Sequence, residues 1–107
     1  MIVRNSDKRP VVMAPGVERS VLSHGEHLMV VEVALKKGAT VAAHAHPHEQ
    51  ISYMVRGSLR FTVDGESFVL NAGESCLIAS GKTHAVEALS DCLALDTFSP
   101  PREDFLA

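Results

Sequence analysis

What this 107-residue chain lacks narrows its function before any motif is read. It has only two cysteines, Cys76 and Cys92, far apart and with no CxxC pair. The expectation is therefore a cytoplasmic protein with reduced, buried thiols and no structural disulfide. It has no basic surplus: 10 Lys and Arg stand against 13 Asp and Glu, a net charge of −3. That argues against a nucleic-acid partner, whose phosphate backbone normally demands excess positive charge. No apolar run approaches the roughly 18 residues of a membrane span. The charged start, Met1 to Pro10, has no apolar segment of the kind a signal peptide needs. Repeats, low-complexity tracts and linkers are also missing, and no helical period appears before a single turn at Pro101–Phe105.

What is present is a period of two. Val17–Ser23, His27–Leu35, Gln50–Val55, Leu59–Asp64, Ser67–Leu70, Ser75–Ala79, His84–Leu89 and Cys92–Phe98 read as strands. Turn residues punctuate them, Asp64-Gly65 most clearly, because a two-residue type I′ hairpin needs positive φ at both central positions. Many short strands with regular turns predict an all-β sandwich or barrel. With 46% apolar and 21% charged residues, the length suits one core, a single domain over residues 1–107.

The residues that carry chemistry lie between Gly38 and His84. Gly38 is followed after five residues by His44, then by His46, Gln50 and Gly57; an echo runs from Gly73 through Gly81 to His84. Three imidazoles and an amide oxygen from separate segments make a mixed N/O set suited to one divalent transition metal, whether Ni, Zn, Mn or Fe. Strand parity puts His44, His46, His48 and Gln50 on one face and Glu49 on the other. Parity favours Gln50 as the fourth ligand, with His48 and Glu49 as the alternatives, and Pro47 can break the ladder locally. His48 reads better as a rim residue, and His24 and His27 as solvated turn residues. A neutral Gln in place of a carboxylate leaves the +2 charge uncompensated by the protein. That favours an anionic substrate and stronger polarisation of its oxygens; the blander reading is drift in a site that only binds.

Near the end, parity places Cys92, Ala94, Asp96 and Phe98 on one strand face. A carboxylate on such an apolar face is costly unless paired or used. Pairing with Arg102 is the structural reading of Asp96. In the functional one, the Pro100-Pro101 step returns Arg102 over the barrel mouth, where its planar fork suits a substrate carboxylate. A last strand apolar on both faces (Leu93 and Leu95 opposite Cys92 and Ala94) predicts a homodimer, with Val17–Ser23 near the interface.

The spacing Gly-x5-His-x-His-x3-Gln-x6-Gly, followed by Gly-x5-Ala-x-Gly-x2-His, resembles the two-part signature of the cupin superfamily. That resemblance implies a small jelly-roll β-barrel. Three positions depart from it: Gln50 stands where Glu is usual, Ala79 where Pro is usual, and Ala88 where Asn often ends the motif. His44 to Gln50, together with Asp96-Thr97-Phe98-Ser99-Pro100-Pro101-Arg102-Glu103-Asp104-Phe105, resembles the KdgF family of pectin and alginate catabolism. The resemblance implies that His44, His46, Gln50 and His84 hold the metal and that Asp96, Phe98 and Arg102 line the reacting sugar. It further implies a small anionic substrate, a 4,5-unsaturated monouronate whose ring is opened to a linear ketonised sugar. Two other readings stand beside it: a non-catalytic sensor of small anions, and a metal-dependent dioxygenase, since three-His iron sites activate O₂.

Overall fold

The computed structural model describes residues 1–107. After one 3₁₀ turn at Asn5–Asp7 the chain forms ten strands: β1 (Val11–Ala14), β2 (Val17–His24), β3 (Met29–Leu35), β4 (Thr40–His44), β5 (Glu49–Arg56), β6 (Leu59–Val63), β7 (Glu66–Leu70), β8 (Ser75–Ile78), β9 (His84–Ala88) and β10 (Cys92–Ser99). One helical turn, α1 (Glu103–Leu106), follows. Two antiparallel sheets pack face to face, one ordered β1-β2-β3-β10-β5-β8 and the other β4-β9-β6-β7. The all-β expectation therefore holds.

Alternation decides what lies between the sheets. On β5 the buried residues are Gln50, Ser52 and Met54, while Glu49, Ile51 and Tyr53 face out. On β10 Cys92, Ala94 and Phe98 are buried, with Asp96 half-buried on the same face. Met54, Cys92, Ala94 and Phe98 join Met29, Val31 and Leu35 of β3 and Leu59 and Phe61 of β6 in one core. Burying such side chains contributes about 1.5–3 kcal/mol each, which fixes the register, since a one-residue slip would turn every one of them outward.

Asp64 and Gly65 both have positive φ (47° and 84°), and Val63 pairs with Glu66 across them, the two-residue hairpin their sequence demands. Cys76 and Cys92 are both free. The structure corrects the expectations elsewhere. β1 and β4 were not foreseen, so the first strand is Val11–Ala14. The C-terminal turn begins at Glu103, two residues later than expected. His44 and Gln50 do not share a strand: β4 ends at His44, residues 45–48 form a bend containing Pro47, and Gln50 belongs to the opposite sheet.

Candidate metal centre and adjoining cavity

The bend after β4 is what lets the two sheets contribute to one site. His44 lies directly opposite His84 across the β4–β9 pair, with ring centroids 4.3 Å apart. His46 leaves the bend and brings its ring to 4.9 Å from His84. The potential ligand atoms of His44, His46 and His84 all lie within 4.8 Å of one another. From the facing sheet, Gln50 presents Oε1 at 3.1 Å from His46 Nε2. Glu49 is exposed, and His48 stands outside the cluster. Of the three alternatives for a fourth position, only Gln50 reaches it. His48 contributes its carbonyl instead, and its own Nδ1 is buried without a partner.

Each imidazole is oriented by a backbone carbonyl. Nδ1 of His44 donates to Ala42 O at 2.9 Å, that of His46 to His48 O at 3.1 Å, and that of His84 to Lys82 O at 2.9 Å. A carbonyl has no proton to give, so the ring proton sits on Nδ1 and Nε2 is left as a lone pair. Burial, reinforced by the nearby Arg102 charge, pushes His46 and His84 below the ordinary histidine range. Both are neutral at pH 7, the form a metal requires.

The donor set fits a divalent cation on one further observation. Gln50 Nε2 donates to Ser52 Oγ at 3.0 Å, so its Oε1 is the atom that faces His46 Nε2. Two acceptors at 3.1 Å repel unless something positive lies between them. With His46 neutral, a metal ion bound by His44, His46, His84 and Gln50 satisfies both.

Behind His46 and Gln50 runs a hydrogen-bond chain that sequence reasoning missed. Ser52 donates to Asp96 Oδ1 at 2.7 Å, joining Gln50 to the carboxylate. Register sets this up: on β10, Asp96 lies opposite Ser52, and Phe98 opposite Gln50. Ser52 is 1% exposed. Its signal was its inward parity with Gln50, yet a buried serine on a strand reads as small core filler. Burial pushes the Asp96 carboxyl up to about 6, against the opposing pull of Ser52, Arg102 and Gln50.

Arg102 lines the same cavity as His44, Gln50, His84, Asp96 and Phe98. It does not pair with Asp96, the structural reading of the sequence. Its fork holds Asp104, with Nε to Oδ1 at 3.0 Å and Nη2 to Oδ2 at 2.9 Å, because α1 turns Asp104 back toward it. The guanidinium lies over the Phe105 ring at 4.2 Å and the Phe98 ring at 5.2 Å. Nη2 is shared with Asp104, and Nη1 makes no protein hydrogen bond.

A two-sheet β-barrel that brings three histidines together with an amide from the facing sheet defines a small barrel protein whose site is capable of holding a metal. The profile of the Cupin domain family matches residues 31–98, and the chain belongs to that family. It is 34% identical over 96 residues to the pectin degradation protein KdgF of Dickeya dadantii, spanning 88% of this chain and 87% of that one. Among solved structures it is similar to KdgF from a Halomonas species, with TM-score 0.92 and 32% identity over 98% of this chain and 97% of that one. An RmlC-like cupin from Shewanella frigidimarina gives TM-score 0.91 and 35% identity, over 97% and 94% of the two chains.

Proposed function

We propose that the protein is a metal-dependent enzyme that opens the ring of 4,5-unsaturated monouronates. The observation that carries this reading is the grouping of Asp96, Phe98 and Arg102 around the cavity that also receives His44, Gln50 and His84. Similarity to two KdgF proteins, one of them described as acting in pectin degradation, supports the substrate class. A divalent metal held by His44, His46, His84 and Gln50 supplies Lewis-acid polarisation of substrate oxygen.

The residues of the chain do the rest. The remaining N–H groups of Arg102, those of Nη1 above all, donate to the substrate carboxylate, while Asp104 and the two Phe rings hold the guanidinium in place. Asp96 takes the proton of the anomeric hydroxyl as C1 becomes an aldehyde and the C1–O5 bond breaks. The electron pair leaves on O5, giving an enolate across C4 and C5. Asp96 returns the same proton to C4, so C5 becomes a ketone and the reaction is a balanced isomerisation. A carboxyl with a pKa of about 6 suits both halves of that transfer. Phe98 packs beside the sugar and excludes water.

Two variants test these roles separately. Asp96→Asn keeps the side-chain size, and turnover of an unsaturated galacturonate or mannuronate should fall roughly 10²–10⁴-fold in kcat. Arg102→Lys replaces the fork with a point charge and should act mainly on KM. Wild-type kcat from Asp96→Asn would remove the proton-transfer mechanism.

A further inference from the structure

Gln50 is useful to a metal in only one of its two amide orientations, and something must choose between them. Flipped, its NH₂ would donate to the His46 Nε2 lone pair. That hydrogen bond would be good in itself, and it would fill the site with protein. The groups behind Gln50 forbid the flip. Ser52 has one hydroxyl proton, and at 2.7 Å it is committed to Asp96 Oδ1. The Ser52 oxygen can then only accept, and it accepts from Gln50 Nε2 at 3.0 Å. An amide has a donor end and an acceptor end, so anchoring Nε2 turns Oε1 toward the histidines.

We infer that Ser52 is a positioning residue: through the chain Gln50–Ser52–Asp96 it sets the direction of the Gln50 amide and keeps Oε1 available to a divalent cation. The inference rests on the metal reading above. It also accounts for the amide at position 50. A carboxylate there would have no proton to offer Ser52, and two carboxylates would then compete for the one hydroxyl. Asp96 and Gln50 are in this sense a matched pair, and Ser52 is the link that matches them.

The test is zinc affinity, measured by chelator competition on the full chain at neutral pH. The variants are Ser52→Ala, Ser52→Thr, Gln50→Ala and the Ser52→Ala/Gln50→Ala pair. Ser52→Ala should weaken zinc binding by about 10-fold or more, in the range typical for groups that orient a metal ligand. Ser52→Thr, which keeps a hydroxyl, should stay within about threefold of wild type, and in the Gln50→Ala background the loss of Ser52 should add nothing. Ser20→Ala removes another buried hydroxyl, one away from the ligands, and should leave zinc affinity unchanged. Wild-type affinity in a folded Ser52→Ala protein, or a loss that adds fully to that of Gln50→Ala, overturns the inference while the metal site stands. Should Ser52→Ala not fold, a loss of 10-fold or more in folded Ser52→Thr overturns it equally. Absence of zinc binding by the wild type overturns the metal reading, and the inference with it.

Discussion

Asp96 is the residue on which chemistry and stability meet. Its carboxyl is held up to about 6 by burial, whereas in the unfolded chain it titrates near the ordinary aspartate value. Between those two values the folded protein binds the extra proton. The stability it contributes is therefore full below about pH 4 and is lost as pH rises through about 6. Asp96→Asn has no proton to lose, so the metal-free variant should gain stability over wild type at pH 7 and not at pH 4. Because the residue is only half-buried, solvent screening limits that gain to about 1–2 kcal/mol. Urea midpoints at the two pH values check the sign, and equal differences at both would contradict the burial account. That His44, His46, His84 and Gln50 come together was legible from motif spacing and strand parity, and that Asp96 faces the same cavity from the cost of a carboxylate on an apolar face. Ser52 and the Arg102–Asp104 pair were not. The first needs the cross-strand register and the second the turn of α1, and neither is written locally.

Strand elements were legible where burial alternates and illegible where it does not. β5 and β10 alternate, and they lie where the sequence put them. β1 is largely exposed along its length, and β4, Thr-Val-Ala-Ala-His, has small residues on both faces, so neither carries a period. Parity carried across residues 44–50 as though they were one strand grouped the right side chains for the wrong reason. The bend at Pro47 separates the sheets, and the barrel reunites the side chains. Turns were read more securely, because glycine has a steric signature. Gly57 closes β5 at φ 78°, where a Cβ would run into the Asp91 carbonyl oxygen and approach Cys92 Cα to 2.9 Å. Gly65 has φ 84° with open space around it. Gly57→Ala should cost about 3 kcal/mol, combining left-handed strain with a backbone clash, and Gly65→Ala about 1 kcal/mol from strain alone. Chemical denaturation of the two variants measures the difference, and equal losses would show that the Asp91 contact relaxes freely.

At the scale of the whole molecule, the outer face of the six-stranded sheet is unusually apolar. Ile51, Tyr53 and Val55 of β5 and Leu77 of β8 are between 41% and 60% exposed, and Ile51 sits directly opposite Leu77. Val17–Ser23, the seam expected from the sequence, lies in β2 of this same sheet. We propose that a second copy covers this face in a two-fold dimer. Light scattering should give twice the chain mass at micromolar concentration and the single-chain mass for Leu77→Glu; a wild-type monomer would contradict it. The same strand, β5, would then carry the interface outward and Gln50 and Ser52 inward. The central claim, that this barrel opens unsaturated uronates with a metal, is tested most directly by following loss of the ultraviolet absorbance of the conjugated C4=C5 bond. The assay compares native protein, chelator-stripped protein and protein reloaded with a divalent ion, each against the spontaneous reaction. Acceleration that is lost on stripping and restored on reloading is the predicted result. A rate no faster than the spontaneous one in metal-loaded protein would contradict the account and leave a barrel that binds without turnover.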